Sequence, residues 1–257
     1  MSYIPIDVAG RRRHESARIS RMKPTSYGGG CMIRYGLILL MTAGLAAGSD
    51  AAGGDVVPYG PPDGPACWTD SGHMYSATVE YPQVAYEVPA IGDTLVEFAE
   101  GFMEPFFGRL GEVDDSPGPW EMEIRFRREP SPDGLVCLMA YIYAYEGGAH
   151  GMSWSSSWVY DRREGFIDPV SMLGDSTDFA DFAAAVRDTL LTRLDSDSSW
   201  IVEGTLPDPA NYTALLPLPD SSGRVAGFRV DLSPYQVAPY VFGAPQVIVH
   251  DWPGAER

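Results

Sequence analysis

The chain has 257 residues, of which 45% are hydrophobic and 21% are charged; this composition is that of a globular protein and excludes wholesale disorder. Its charge is uneven, because residues 51–257 contain 32 acidic residues, 11 basic residues and no lysine. An acidic surface repels nucleic acid and anionic lipid and favours cationic partners, although acidity also serves solubility alone.

Three segments precede the first predicted strand. An apolar run follows Arg34 and ends in small residues with A-x-A-like cleavage sites, which is typical of a secretory signal peptide over residues 32–50. Residues 1–31 are then interpreted as an extension from a misplaced start codon, and the Gly/Pro-rich residues 51–66 as a flexible linker. The apolar run is too short to span a bilayer comfortably. We therefore expect a periplasmic or extracellular protein without stable membrane insertion.

Export gives the remaining two cysteines a specific meaning. Cys67 and Cys137 form an even pair in an oxidising compartment, which predicts a disulfide between them. The bond would close a loop of about 70 residues and stabilise the fold by about 4 kcal/mol in the chain-entropy model. Two unrelated buried thiols are the alternative.

The first predicted elements after the linker are a strand and a helix. Alternating β-branched and aromatic residues over 74–82 predict the strand. Apolar residues at three- and four-residue spacing over 91–110 predict an amphipathic helix, which Gly101 and Pro105 are expected to end or kink. The apolar stripe consists of Leu95, Phe98, Phe102 and Phe106.

Three further strands are predicted in succession, over 120–129, 135–146 and 152–161. The first alternates apolar and charged residues, and the second is apolar almost throughout, which is typical of a central strand covered on both faces. The third places Trp154 and Trp158 on one side and serines on the other, which we expect to be solvated. Short connections between the three predict an antiparallel meander.

The C-terminal part contains the clearest helix and two short strands. The helix is predicted over 178–194 with Ser176 or Thr177 as its N-cap, and the strands over 227–232 and 245–250. The combination predicts an α+β fold, an antiparallel β-sheet meander with two or more helices packed on it.

The stretch YEGGAHGM at 145–152 joins two predicted strands and contains the first group of candidate site residues. In the structural interpretation, Gly147 and Gly148 take positive φ in a hairpin connection and His150 bonds to nearby backbone. In the functional interpretation, Glu146, Gly147, Gly148 and His150 belong to a turn that contacts a partner.

Catalysis by His150 is a third possibility, with Glu146 orienting the imidazole as a general base. The sequence has no Gly-x-Ser-x-Gly elbow, so we expect no catalytic residues and no enzymatic activity. A hydrolase or deacetylase-like enzyme acting on cell-wall polymers, using His150 with an acidic partner, is the alternative. The scattered histidines predict no metal site, and no motif indicates a cofactor.

The stretch SPYQVAPY at 233–240 contains the second group of candidates. Its two prolines exclude a regular helix, and Tyr235 and Tyr240 are suited to bury their rings while keeping their hydroxyls bonded. Core packing of these aromatic residues is one interpretation, and a stacking surface for envelope glycans is the other. The candidates for that surface are Tyr143, Tyr145, Trp154, Trp158, Tyr235 and Tyr240.

YEGGAHGM, the helix at 178–194 and FRVDLSPYQVAPYVFGAPQVIV together resemble the bacterial exported domain-of-unknown-function family typified by the RsiV anti-sigma factor ectodomain. The resemblance divides residues 67–257 into an N-terminal module at about 67–112, similar to the PdaC-type companion module, and a C-terminal module at about 113–252. It implies an α+β module of the cell envelope without established catalytic residues. It also implies binding of a cationic protein such as lysozyme, whereas binding of cell-wall glycan is the expectation that the aromatic residues give.

Overall fold

The computed structural model describes residues 66–110, 119–250 and 252. The predicted extension, signal peptide and linker lie outside these residues, apart from Ala66, the first residue of a strand. Within the described ranges, no helix is both long and apolar enough to cross a membrane.

Six strands form the first sheet, in the order in which they occur along the chain. They are β1 (Ala66–Ser71), β2 (Tyr75–Tyr81), β3 (Trp120–Glu129), β4 (Leu135–Tyr145), β5 (Met152–Asp161) and β6 (Gly165–Ile167). All neighbours are antiparallel except β2 and β3, which are parallel. A parallel pair requires a crossover connection, and this one contains α1 (Val84–Glu87) and α2 (Pro89–Leu110).

Helix α2 covers one face of this sheet. Alternate residues of β3, among them Ile124 and Phe126, are fully buried in one cluster with Leu95 and Phe106 of α2. The predicted apolar stripe therefore faces the sheet. Trp158 of β5 joins the same cluster, with its ring edge-on to Phe98 at a centroid distance of 4.7 Å.

A second, three-stranded antiparallel sheet follows in the chain. It consists of β7 (Leu215–Pro219), β8 (Val225–Asp231) and β9 (Gln246–Val249), preceded by α3 (Ser176–Arg193) and α4 (Ser198–Gly204). Short 3₁₀ turns lie at Pro169–Leu173, Pro209–Tyr212 and Tyr240–Phe242. Phe182 and Val186 of α3 are buried in a second cluster with Phe228 and Val247 of this sheet.

Strand β4 is covered on both faces, as predicted from its continuous apolar run. Residues such as Leu138 face α2, whereas Cys137 and Met139 on the opposite face pack in a third cluster with Ala214 and Leu216 of the second sheet region. The α+β class and the antiparallel meander of β3, β4 and β5 are confirmed.

Arg229 of β8 connects the two sheets through hydrogen bonds. Its Nη1 donates to Glu129 Oε2 at 2.9 Å and its Nη2 to the Tyr141 hydroxyl at 3.1 Å, while its Nε lies 3.1 Å from Asp231 Oδ1. Burial raises the pKa of Asp231, although Gln246 and Arg229 stabilise its carboxylate. This network therefore crosses the interface between the two sheets.

The predicted disulfide is contradicted by the structure, in which Cys67 and Cys137 are both free thiols. Cys67 lies on β1 and Cys137 on β4, with β2 and β3 between them. Because neighbouring strands lie about 4.8 Å apart, the two strands alone are separated by roughly 14 Å. The Cα atoms of a disulfide lie within about 7 Å of each other, so these residues are too distant to be joined.

Two expectations about the helices also require correction. Helix α2 continues through Pro105 to Leu110, because Pro105 and Gly101 lie on its exposed face and the opposite face stays buried. The N-cap of α3 is Asp175, whose carboxylate accepts from the backbone N–H groups of Thr177 and Asp178 in a capping box.

The serine side of β5 is not the freely solvated face that the sequence suggested. Ser157 donates from its backbone N–H to the carbonyl oxygen of Thr213 at 2.8 Å and from its hydroxyl to that of Leu215 at 2.7 Å. The serines therefore face the second sheet region, and Ser157 attaches β5 to it.

Candidate binding site at the β4–β5 turn

The turn between β4 and β5 has the backbone conformation that its glycines predict. Gly147 has a φ of 90° and Gly148 a φ of 105°, values that residues with a Cβ rarely adopt. The hydroxyl of Tyr145 donates to the carbonyl oxygen of Gly148 at 3.1 Å and fixes the start of the turn. The predicted structural role of both glycines is confirmed.

Gly151 has a different reason to lack a side chain. The ring of Tyr143 lies so close to its Cα that a Cβ at this position would overlap the ring. The turn therefore folds back over the end of β4, which brings His150 next to the face of the sheet that carries Tyr143.

His150 is exposed, and both of its ring nitrogens have a partner. Nδ1 lies 2.9 Å from the carbonyl oxygen of Gly151, so Nδ1 carries the proton because a carbonyl only accepts. In the neutral imidazole, Nε2 then accepts from the hydroxyl of Tyr235 at 3.2 Å. The predicted bond of His150 to nearby backbone is confirmed, whereas the bond to Tyr235 joins residues 85 positions apart.

Tyr235 lies in a tight turn over residues 233–236. The backbone N–H of Gln236 donates to the carbonyl oxygen of Ser233 at 3.1 Å, Pro234 occupies the second position, and Tyr235 has a φ of 68°. Proline second and positive φ third is the pattern of a type II turn, whose third position favours glycine or asparagine. Among the described residues, Tyr235 is the one non-glycine with positive φ.

Gln236 fixes this turn to the rest of the protein. Its side-chain amide donates to the carbonyl oxygens of Gly204 at 3.0 Å and Asn211 at 2.9 Å, and its Oε1 accepts from the backbone N–H of Ser233 at 3.1 Å. The Tyr235 ring is thus presented by an anchored backbone.

The rings around His150 form an exposed surface, which we name the His150 cluster. The imidazole stacks on Tyr240 at a centroid distance of 3.9 Å and an interplanar angle of 16°. Tyr235 lies 5.8 Å from Tyr240 and 6.4 Å from Trp200. The exposed fractions are 43% for Tyr235 and 37% for Trp200. The His150 cluster consists of His150, Trp200, Tyr235 and Tyr240.

Glu121 places a negative charge near Tyr143, whose ring lies against Gly151. The pKa of Tyr143 is raised, first by desolvation and then by the negative charge of Glu121, with smaller contributions from Tyr240 and Tyr145. Glu121 lies on β3, directly opposite Tyr145 of β4.

Glu146 does not have the role that the catalytic alternative gave it. Both of its carboxylate oxygens accept from the guanidinium of Arg109 on α2, with a distance of 2.6 Å from Nε to Oε2. This hydrogen bonding raises the pKa of Arg109. The pair attaches the turn to the end of α2, and the expectation that Glu146 orients His150 is wrong.

The sequence predicted six aromatic candidates for a stacking surface, and two of them are on the wrong face of the sheet. Trp154 and Trp158 lie on the opposite face of the sheet, where Trp154 contacts Phe102 and Trp158 contacts Phe98. Trp200 was missed, since its place beside Tyr235 depends on the packing of α4 against a turn more than 30 residues later. Among the described residues, no three metal-binding side chains are grouped.

No family model matches this sequence, and no curated protein matches it. The solved structures that are similar to the chain include two of the DUF3298 family. A DUF3298 family protein from Pseudomonas aeruginosa has a TM-score of 0.43 and 16% identity, covering 72% of this chain and 88% of that one. A DUF3298 family member from Bacteroides fragilis has a TM-score of 0.42 and 12% identity, covering 73% and 89%. These structural neighbours belong to an uncharacterised domain family.

Proposed function

We propose that this chain is an exported binding protein of the cell envelope, and that the His150 cluster is its contact surface for a cationic protein. The localisation part of the proposal depends on the signal-peptide pattern at residues 32–50. The binding part depends on the geometry of Tyr235.

The conformation of Tyr235 is the observation that carries the proposal. A residue with a Cβ costs about 1–2 kcal/mol in the left-handed region, and such strain is concentrated at functional sites. The ring of Tyr235 is 43% exposed, so burial in the core offsets only part of that cost. A partly exposed tyrosine at a position that favours glycine is consistent with a contact residue.

The chemistry of the surface favours a cationic ligand. Tyrosine and tryptophan rings attract ammonium and guanidinium groups through their faces, and these two residues are enriched at the energetic centres of interfaces. Glu121 adds negative charge nearby, and residues 51–257 have 21 more acidic than basic residues. The resemblance to the RsiV-type family suggests lysozyme as the first probe.

The arrangement supports binding rather than hydrolysis. Both ring nitrogens of His150 are hydrogen-bonded within the protein, Nδ1 to the Gly151 carbonyl oxygen and Nε2 to the Tyr235 hydroxyl. Glu146 is paired with Arg109 instead of His150. We therefore propose that His150 positions the rings of Tyr235 and Tyr240.

The proposal is tested by measuring the binding of lysozyme to the immobilised protein and to its Tyr235→Ala variant. We expect salt-sensitive binding, because the attraction of an acidic surface is screened by ions, and a loss of about tenfold or more in affinity in the variant. Tyr86→Ala is the matched control, since Tyr86 is 45% exposed and lies on α1, away from the His150 cluster. It should bind like the wild type.

Three outcomes would contradict the proposal. They are the absence of lysozyme binding, equal losses in the Tyr235→Ala and Tyr86→Ala variants, and retention of insoluble cell-wall glycan in place of lysozyme. In the third case the His150 cluster would be a glycan-binding surface, the second interpretation of its aromatic residues.

A further inference from the structure

A concave surface lies at the opposite end of β4 from the His150 cluster. It is a groove of about 570 Å³ around the β3–β4 turn. It is lined by residues 128–135 and Arg162. Since β4 has 11 residues, the groove and the His150 cluster are separated by roughly 30 Å.

Two arginines of the groove have no ion-pair partner among the described residues. Arg128 and Arg162 are both exposed, and neither forms a salt bridge within the described ranges. In contrast, Arg125, Arg127 and Arg229 on neighbouring strands are all paired with carboxylates. The groove therefore brings to one concave surface two exposed arginines that have no salt bridge within the described ranges.

The acidic residues of the groove do not neutralise both arginines. Glu129 is already bonded to Arg229, whose Nη1 lies 2.9 Å from its Oε2. Asp133 lies against Gly223, and its backbone N–H donates to the Gly223 carbonyl oxygen at 2.7 Å. The groove therefore presents two unpaired guanidinium groups and one carboxylate that has no salt bridge within the described ranges.

Other hydrogen-bond donors in the groove are few, which leaves recognition to the arginines. Pro130 and Pro132 have no backbone N–H, and the hydroxyl of Ser131 donates to the carbonyl oxygen of Glu129 and accepts from the backbone of Cys137. Guanidinium groups present parallel N–H donors that match the oxygens of carboxylate and phosphate.

We propose that this groove binds an oxyanion, a carboxylate or phosphate group, held between the Arg128 and Arg162 guanidinium groups. The site is independent of the His150 cluster and of the proposed function. The anion occupies the groove at the turn end of β3 and β4, where it accepts hydrogen bonds from the two arginines.

The test is isothermal titration of the full chain with inorganic phosphate and, separately, with acetate, at an ionic strength held constant with chloride. We expect saturable binding of at least one of the two anions, and each of Arg128→Gln and Arg162→Gln should weaken it about tenfold. Arg163→Gln is the matched control, because it removes the same charge one residue outside the groove lining. Its affinity should equal that of the wild type.

The two anions distinguish the ligand chemistry. Binding of phosphate alone assigns the groove to phosphate groups, and binding of acetate alone assigns it to carboxylates. Two results would overturn the proposal. One is that neither anion binds above the chloride background, and the other is that Arg163→Gln weakens binding as much as the two groove variants. Circular dichroism of each variant establishes that the compared proteins are folded.

Discussion

Tyr235 occupies a backbone conformation that proteins usually assign to glycine. The bulky phenol is kept there by the anchored turn around it, with Gln236 bonded to two carbonyl oxygens from other segments. The strained conformation is confined to Tyr235, so substitutions at this one position measure its free-energy cost.

We expect Tyr235→Gly to be more stable than Tyr235→Ala, although both remove the same ring contacts. Glycine adopts positive φ without steric cost, and its larger chain entropy in the unfolded state offsets only part of that advantage. The expected difference in the free energy of unfolding is about 1 kcal/mol, measured by urea denaturation. Equal stabilities, or a more stable alanine variant, would contradict the strained conformation.

Cys137 is fully buried between the two layers, and burial raises its thiol pKa to about 11. The unfolded thiol ionises near its ordinary pKa, about 9.0. Between these two pKa values the thiol is ionised in the unfolded state but still protonated in the folded state. The buried neutral thiol therefore contributes its whole stabilisation below the unfolded pKa, and this contribution is lost as the pH rises toward 11.

The prediction is that the wild type loses about 2 kcal/mol more stability between pH 8 and pH 11 than Cys137→Ala does. Other groups that titrate in this range are common to both proteins, so the difference isolates Cys137. Urea unfolding at a series of pH values provides the measurement. If the free energies of unfolding of the two proteins changed equally with pH, the Cys137 thiol would not be shielded from water.

The sequence predicted contacts between neighbouring residues and missed those between residues far apart in the chain. The glycine conformations and the bond of His150 to adjacent backbone follow from a few neighbouring residues. The partners Tyr235 and Tyr240 were named as candidates, but nothing in a linear pattern places them against a ring about 90 residues earlier. The pairing of Glu146 with Arg109 joins residues 37 positions apart and was missed for the same reason.

The strands whose residues alternate most regularly were predicted with accurate bounds. The bounds of β3 and β5 coincide with the predicted ranges, because alternation of apolar and polar residues marks a strand with two different faces. Strand β7 was missed, since Pro217 and Pro219 are typical of a loop. It is an edge strand of its sheet, where a missing N–H is tolerated.

In helix α2, the rule that a proline ends or kinks a helix gave a wrong prediction. Pro105 lies inside the helix, where its ring displaces the carbonyl of Gly101 and removes one backbone hydrogen bond. Burial of Phe106, Met103 and the rest of the inner face maintains the helix despite this defect. The defect is on the solvent side, so water can bond the released carbonyl.

We expect Pro105→Ala to stabilise the protein by about 1–2 kcal/mol. The substitution restores one helical hydrogen bond and removes a poor helix former, but it also increases the chain entropy of the unfolded state. The measurement is the midpoint of thermal or urea unfolding. Gly108→Ala is a useful comparison, because Gly108 is exposed in the same helix with open space around its Cα and tests helix propensity alone. A destabilised Pro105→Ala variant would show that the proline shapes the helix to fit the sheet.

At the scale of the whole molecule, the fold is an α2 layer, a six-stranded sheet and a second sheet region packed on the other face of β4. The sequence predicted helices on a meander but not a second sheet, because β8 and β9 are short and β7 contains two prolines. The interface between the sheets is apolar around Cys137 and Met139, and it is polar around Arg229.

The Arg229 network provides the test of how strongly the two sheets depend on each other. Replacing Arg229 by alanine leaves the half-buried carboxylates of Glu129 and Asp231 without their cation, at the interface between the sheets. Removing one partner of such a pair costs about 3 kcal/mol, because the remaining charges are still shielded from water.

We therefore expect Arg229→Ala to lower the free energy of unfolding by about 3 kcal/mol at pH 7. Arg224→Ala is the matched control, because Arg224 lies on the same hairpin but pairs with Asp220 at the surface, with 83% of its side chain exposed, and should leave stability unchanged. Unfolding followed by tryptophan fluorescence and by circular dichroism also reports whether the sheets separate. If the two signals stay coincident and stability is unchanged in Arg229→Ala, the apolar contacts around Cys137 hold the sheets together without the network.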